Sequence, residues 1–265
     1  KLIMIDFHNH IIPNLDDGSK SIEMSLSMLK EAQSQGITDV INTVHFQHPK
    51  LYAKNTSYDF VINEVKKMEE IAHSNNINIK IHPASEVFFQ FNLIDILDNP
   101  ITTFGNNKYM LIEFNTLSFP KDYEYELYKL QLRGITPIIA HPERYRGIQK
   151  DVKLAKKWIE RGYLVQIDCA SILGGFGKNV QAAAIKLLQN GLCHLVGSDA
   201  HNDKRRNFLL KDTLKKVDKI IGKEAKMVLK ENAKNILNGD DCSSYKIVED
   251  KKSFIESIKT FFINK

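Results

Sequence analysis

At 265 residues, 43% of them hydrophobic and 26% charged, the chain can bury a sizeable core and is too ordinary in composition for a disordered or fibrous protein. Three cysteines, odd in number and far apart, exclude a disulfide framework and point to a reducing, cytoplasmic compartment. The formal net charge of +5 comes without the concentrated basic and aromatic patch that nucleic acid requires, so no nucleic-acid partner is expected.

No apolar run approaches the ~20 residues of a membrane span, so no stable membrane insertion is expected. The opening KLIMIDF meets polar residues at once and has no small-residue cleavage site, unlike a secretion signal. Its apolar run, 2–7, reads as a first strand that ends in His8-Asn9-His10. Asp16 and Asp17 follow in a loop. SIEMSLSMLKEAQSQG is a helix, with Ser19 as its expected N-cap and Gly36 as its stop. The second strand, 39–44, ends in His45. A polar, basic and aromatic stretch, HFQHPKLYAKNTSY, leads into a helix over SYDFVINEVKKMEEIAHSN. The third strand, 77–81, leads to Glu86, and the fourth, 109–112, ends in Glu113.

The helix DYEYELYKLQLRG, stopped by Gly134, precedes a fifth strand at 136–140 that ends in His141. VKLAKKWIERG, stopped by Gly162, precedes a sixth strand at 163–167 that ends in Asp168. VQAAAIKLLQNG, stopped by Gly191, precedes a seventh at 193–197 that ends in Asp199-Ala200-His201. A final helical pattern runs through DTLKKVDKIIG and AKMVLKENAKNIL. The alternation predicts an α/β fold around seven parallel strands, with several continuous apolar runs as buried strands show. One domain over 1–265 is expected, with its core at about 4–238. The tail at 239–265 reads as a loop and then an amphipathic helix carrying Phe254, Ile255, Ile258, Phe261 and Phe262, packed on the body or on a partner subunit.

Every strand delivers an imidazole or a carboxylate at its C-terminal end. In a barrel of parallel strands those ends converge on one face, where barrels place their active sites. The period of two puts His8 and His10 on one side of their strand, and likewise Asp199 and His201. Nitrogen and oxygen donors without clustered cysteine suit Mn, Fe or Zn rather than a thiolate site. The donors exceed the needs of one ion, so two or three ions sharing carboxylates are expected, an arrangement that serves displacement at phosphorus. His48, His73, His82 and His194 read as capping or loop residues. GGFGKN, at 174–179, fails the P-loop pattern because Ile172 stands where the first glycine belongs and Asn179 replaces Ser or Thr. It is expected to be a flexible loop beside the pocket.

DFHNH, TVH, SE, LIEF, IAHPERY and GSDAHN together resemble the polymerase-and-histidinol-phosphatase (PHP) superfamily. HNHIIPNLDDGS and PIIAHPERY more narrowly resemble the manganese-dependent tyrosine-protein phosphatases encoded with capsule and exopolysaccharide genes in Gram-positive bacteria. The likeness runs from Met4 to about Leu237. It implies a distorted, TIM-like (β/α)7 barrel holding three divalent ions. By motif, His8, His10, Glu86 and Asp199 would hold one ion. Glu86, Glu113 and His141 would hold a second, and Asp17, His45 and His201 the third. Manganese is the expected metal, with iron or zinc as alternatives. Asp168 has no counterpart in that pattern, and Asp16 reads as a turn residue beside the matching Asp17. Arg144 matches an arginine that holds phosphate, and so does Arg206 or its neighbour Arg205. The planar guanidinium fork suits two phosphate oxygens.

The implied activity is hydrolysis of phosphotyrosine on the tail of a bacterial tyrosine kinase. The enzyme would be cytoplasmic, and recruited where that kinase is membrane-bound. His48, Lys50 and Tyr52, with Lys54, are candidates for contact with such a tail. The cysteine route to the same reaction requires an arginine six residues after the cysteine. Cys169, Cys193 and Cys242 are followed there by Gly175, Asp199 and Val248. Alternatives are a phosphatase of small phosphomonoesters such as histidinol phosphate, or a non-catalytic module that binds kinase tails. A metal-dependent amidohydrolase is less apt, because no strand end offers the lysine that fold uses as a ligand.

Overall fold

The computed structural model of the chain describes residues 3–51 and 57–246. Its strands are β1 (Ile5–Asn9), β2 (Asp39–Phe46), β3 (Lys80–Phe88), β4 (Tyr109–Glu113), β5 (Thr136–Ile139), β6 (Leu164–Asp168) and β7 (Leu195–Gly197). The helices are α1 (Ile22–Ser34), α2 (Tyr58–Ser74), α3 (Tyr123–Leu132), α4 (Arg146–Lys150), α5 (Lys153–Glu160), α6 (Cys169–Leu173), α7 (Lys178–Gln189), α8 (Leu210–Ile221) and α9 (Lys223–Asn238). Short 3-10 turns at Pro100–Thr103 and Pro142–Arg144 complete the set. None of the described helices is long and apolar enough to cross a membrane.

The strands pair in parallel in chain order, β1 to β7. The first and last strands then meet without a regular ladder. The His10 N–H donates to the Ala200 carbonyl at 2.8 Å, and the Asp199 N–H donates to the His8 carbonyl at 2.7 Å. Below them the buried Asp6 carboxylate accepts from the Ser198 N–H at 3.1 Å and from its hydroxyl at 2.9 Å. These bonds close the seven strands into the expected TIM-like barrel.

Apolar residues fill two layers. Between strands and helices lies a continuous shell that includes Met28, Leu29, Met68, Trp158 and Leu187. Inside the barrel Phe7, Ile41, Ala84, Leu111, Ile138, Leu164 and Leu195 form a second cluster, which Phe104 and Ile236 help to cover. The interior is therefore a packed core, as in other barrels of this kind.

Three boundaries differ from expectation for identifiable reasons. Ser21, not Ser19, caps α1, its hydroxyl accepting from the Met24 N–H at 3.2 Å. Ser19 is spent elsewhere: its N–H donates to the His10 carbonyl at 3.0 Å, tying the loop to the end of β1. The third strand starts later and runs further than 77–81, through Pro83 to Phe88. Pro83 lies where β3 pairs with β2 but not yet with β4, and is tolerated there as on an edge strand. The last helical pattern is two helices, broken at Gly222. The first residues of the tail pack on the body: Tyr245 is buried and its hydroxyl donates to the Leu188 carbonyl at 2.8 Å. The expected tail helix lies outside the described residues.

Candidate metal centre

The strand pleat accounts for most of the site. Ile41 and His45 share a face of β2, Ala84 and Glu86 of β3, and Leu111 and Glu113 of β4; in each pair the first belongs to the inner apolar cluster and the second to the site above it. Leu195 and Asp199 stand in the same phase at β7. Two strands break phase. In β1 the inward Phe7 is followed by an inward His8, and the register with β2 shifts between Asp6 and Asn9. After β5, His141 turns inward by adopting a left-handed backbone, φ 31°. Asp199 is left-handed too, φ 49°. Such strained backbone at non-glycine residues concentrates at functional sites.

Close approach of the chain also constrains the sequence. A Cβ on Gly197 would come within 2.7 Å of the His8 Cβ, and one on Gly18 within 2.1 Å of the His10 carbonyl oxygen. Only glycine at these two positions leaves the two histidines where they stand.

All nine expected ligands converge. Three groups place their donor atoms mutually within 4.8 Å: His10, Asp17, His45 and His201; His8, His10 and Glu86; and His45, Glu86 and Glu113. The Asp199 Oδ1 lies 3.6 Å from His8 Nε2, 3.5 Å from His10 Nε2 and 3.3 Å from His201 Nδ1. His141 Nε2 is 2.7 Å from one Glu86 oxygen, while the other lies 3.3 Å from both His8 Nε2 and His45 Nδ1. His10 therefore stands between two groups. His45 also faces two, with Nε2 3.3 Å from Asp17 and Nδ1 toward Glu86 and Glu113.

Two residues outside the expected set orient these imidazoles. Gln166 Oε1 accepts from His8 Nδ1 at 3.2 Å and from the His141 N–H at 3.3 Å. Asp16 makes a turn bond with the Gly18 N–H, as expected, but its other oxygen, Oδ2, accepts from His10 Nδ1 at 2.8 Å and from the His45 N–H at 3.0 Å. A proton held on Nδ1 leaves the Nε2 lone pair facing inward, the usual way a metal-ligating imidazole is fixed. Spacing alone does not reveal either residue, because Gln166 lies two positions before its strand tip and Asp16 adjoins the better match.

The cations lie beside this cluster. Asp199 Oδ2 accepts from Arg144 Nη1 at 2.8 Å and pairs with Arg206 Nη2. Arg144 follows His141 on a 3-10 turn and also reaches Asp168 at 3.2 Å. Asp168 thus holds Arg144 and lies outside the three donor groups. Arg206 is carried on a loop whose Asn202 side chain accepts from the N–H groups of residues 204–206. Arg205 is exposed and does not line the pocket, so Arg206 is the one of this neighbouring pair that joins Arg144 there.

The pocket itself has a volume of about 140 Å³ and is lined by Asp17, His45, His48, Glu86, Glu113, His141, Arg144, Asp199, His201 and Arg206. His48 stands at its edge, 3.8 Å from Glu113. Lys50 is exposed and not among the lining residues, and Tyr52 and Lys54 lie outside the described residues.

Charge is concentrated here far beyond what burial favours. Burial pushes Glu113 up to about 7, and the neighbouring Glu86 adds to the rise. Burial would also raise Glu86, yet His8 and His45 hold it well below the usual carboxylate range. Burial would lower His141, but Asp168 and Glu86 lift it to about 9 despite the opposing Arg144. His45 Nδ1 and Glu113 Oε2 are buried without a hydrogen-bond partner. Converging imidazoles and carboxylates with buried, unpartnered donor atoms fit divalent cations. The thiols do not compete as nucleophiles: burial raises Cys169 and Cys193, and pushes Cys242 up to about 11.

Known proteins resemble this chain in sequence and fold. The family described as "Capsular polysaccharide synthesis, CpsB/CapC" matches residues 4–238. The tyrosine-protein phosphatase YwqE of Bacillus subtilis is 35% identical over 235 residues, covering 88% of this chain and 91% of that protein. The tyrosine-protein phosphatase CpsB of Streptococcus agalactiae is 31% identical over 241 residues, covering 88% of this chain and 98% of that protein. A crystal structure from a study of YwqE and Streptococcus pneumoniae CpsB, called unique metal-dependent tyrosine phosphatases, superposes with a TM-score of 0.86 at 32% identity, over 93% of this chain and all of that one. An organophosphorus hydrolase, 11% identical with a TM-score of 0.56, shares the barrel alone. The chain belongs to the CpsB/CapC family of capsular polysaccharide synthesis.

Proposed function

We propose that this chain is a metal-dependent protein-tyrosine phosphatase, with the phosphotyrosine tail of a bacterial tyrosine kinase as its substrate and capsular or exopolysaccharide synthesis as the process it regulates. The observation that carries the reading is the meeting, at Asp199, of the imidazole and carboxylate cluster with two arginines. A cytoplasmic enzyme recruited to a membrane-bound kinase is the setting we infer.

His8, His10, Glu86 and Asp199 would hold one divalent ion, Glu86, Glu113 and His141 a second, and Asp17, His45 and His201 a third. The closeness of His10 to the third group makes it the residue that joins the two sets. Manganese fits this donor set, as do iron and zinc. Divalent ions held there would supply Lewis acidity for displacement at phosphorus.

The chain's own residues do the rest. Arg144 and Arg206 turn from Asp199 toward the phosphoryl oxygens and neutralise the charge that spreads there. Gln166 and Asp16 keep His8 and His10 in the required tautomer. His48 stands at the pocket edge, where burial and His45 lower its pKa and favour the neutral imidazole, whose N–H can donate a hydrogen bond to the departing phenolate. A phenol pKa of ~10 makes that leaving group undemanding. Lys50, which is exposed, and Tyr52, which lies outside the described residues, are the residues we propose for contact with the peptide.

The test is turnover of a phosphotyrosine peptide by chelated protein, with Mn, Fe, Zn and Mg restored in parallel. Activity lost on chelation and regained best with Mn is expected. Undiminished turnover after chelation would sink the reading. Faster turnover of histidinol phosphate than of the peptide would replace the substrate assignment.

A further inference from the structure

The two arginines of the pocket reach it from different loops, yet they share two neighbours. One is the Asp199 carboxylate. The other is the ring of Phe176, in the GGFG turn between α6 and α7. The Arg144 Cζ lies 5.1 Å and the Arg206 Cζ 5.8 Å from the ring centroid. Both distances are within the ~6 Å over which a guanidinium is attracted to an aromatic face.

The turn that carries Phe176 is pinned rather than loose. The N–H groups of Gly174 and Gly175 donate to the Ala170 carbonyl at 2.9 and 2.8 Å, and the Gly177 N–H donates to the Gly174 carbonyl at 3.1 Å. Gly174 and Gly177 have φ of 99° and 92°, a backbone that side-chain-bearing residues adopt only under strain. Hydrogen bonds and two glycines thus fix the place of the single aromatic side chain between them. Where the sequence predicts a loop beside the pocket, the structure shows a hydrogen-bonded shelf.

We propose that Phe176 is a positioning residue that holds Arg144 and Arg206 as a paired fork facing the pocket, so that the fork survives when a phosphoryl anion takes the place of Asp199. The proposal rests on the phosphatase reading. Two like charges brought side by side repel, and each side chain must also surrender rotamer freedom to be held. The Asp199 oxygen offsets this only while the arginines rest on it. Once they turn to phosphate, the ring face is the shared neighbour they keep, Asp168 touching Arg144 alone. Leucine at 176 would fill similar space without a π face, and tryptophan would present a stronger one.

The experiment measures binding of inorganic phosphate to the metal-loaded full chain by calorimetry, for wild type, Phe176→Leu and Phe176→Trp. It is paired with KM and kcat for a phosphotyrosine peptide and with thermal unfolding. Phe176→Leu should weaken phosphate binding on the order of tenfold and raise KM more than it lowers kcat, with the unfolding temperature unchanged. Phe176→Trp should bind phosphate at least as tightly as wild type. Wild-type phosphate affinity in Phe176→Leu would overturn the shelf while leaving the phosphatase intact. So would a Phe176→Trp variant that binds phosphate on the order of tenfold more weakly than wild type, and this arm stands even if the leucine variant does not fold. A wild-type holoenzyme that binds no phosphate would overturn both readings.

Discussion

The same seven strands carry an apolar layer midway along the barrel and a cluster of titratable groups at their C-terminal ends. Midway along them Phe7, Ile41, Ala84, Leu111, Ile138, Leu164 and Leu195 pack against each other with no polar atom to satisfy. A few residues on, His8, His45, Glu86, Glu113, His141 and Asp199 are equally buried, yet each faces another charged or chargeable group. The difference teaches that the barrel separates its two tasks along the strand. The lower layer contributes hydrophobic stability and positions the tips. The upper layer concentrates charge at a cost that the lower layer offsets.

That division can be broken most forcefully at the top. Arg144→Ala should lower kcat/KM for a phosphotyrosine peptide by about a thousandfold, the range seen when a preorganised donor to a transition-state charge is lost. The variant should still fold on the intact apolar layer, with a lower urea midpoint because the buried Asp168 and Asp199 lose a partner. Steady-state kinetics and a denaturation curve on the same preparation decide it. Near-normal turnover would remove Arg144 from the site.

Ile41→Ala tests the lower layer by the opposite signature. The side chain is fully buried, so the change should destabilise the protein by about 3 kcal/mol, with a spread set by how far the cavity collapses. Turnover per folded molecule should stay within about twofold of wild type, since His45 is four residues further along β2 and held separately by Asp16 and Glu86. A stable Ile41→Ala protein that has lost activity would contradict the separation.

Histidine behaves differently at the two ends. At the top, carboxylates more than offset burial and raise His141 to about 9. His194, just before β7 at the lower end, has burial alone acting on it and falls from 6.5 to about 4. The folded state therefore prefers neutral His194. The stability this contributes is complete above pH 6.5 and is lost progressively as pH falls toward 4. Between pH 7 and pH 5 the loss amounts to about 2 kcal/mol from this one residue. His194→Gln should flatten the stability profile over that interval by a similar amount, read as urea midpoints at the two pH values. An identical slope in wild type and variant would mean that His194 titrates normally.

Much of this was legible in the sequence because the barrel rule turns strand order into spatial order. An imidazole or carboxylate after each apolar run, and glycine stops before four of the strands, are enough to bring Glu86 and His141 to one face although they lie 55 residues apart, while their sharing of an ion is what the family resemblance implies. Residues that act through other residues were not legible. Gln166 sits inside an apolar strand, and Phe176 sits in a glycine-rich turn whose hydrogen bonds and closeness to the arginines only the structure shows. The phase slip in β1 was hidden for another reason. His8-Asn9-His10 shows that two imidazoles share a side, but only the register with β2 shows which side faces inward.

Asp16 and Asp17 bring the contrast down to neighbouring residues, and the smallest effect is expected here. Asp17 is 45% exposed and reaches His45 and His201, each at 3.3 Å, as a ligand would. Asp16 is 2% exposed and accepts three hydrogen bonds, from His10, the His45 N–H and the Gly18 N–H. A carboxylate can accept all three; an amide cannot. In Asp16→Asn the NH2 group must face either the Gly18 N–H or the His10 and His45 donors. Either way two donors oppose each other, and His10 is no longer obliged to keep its proton on Nδ1. The variant should fold and keep every ligand, yet lose on the order of 10- to 100-fold in affinity for Mn, the usual cost of removing a partner behind a ligand. Titration of the chelated variant with Mn measures it. An unchanged affinity would return Asp16 to the role of a turn residue and leave His10 oriented by its backbone alone.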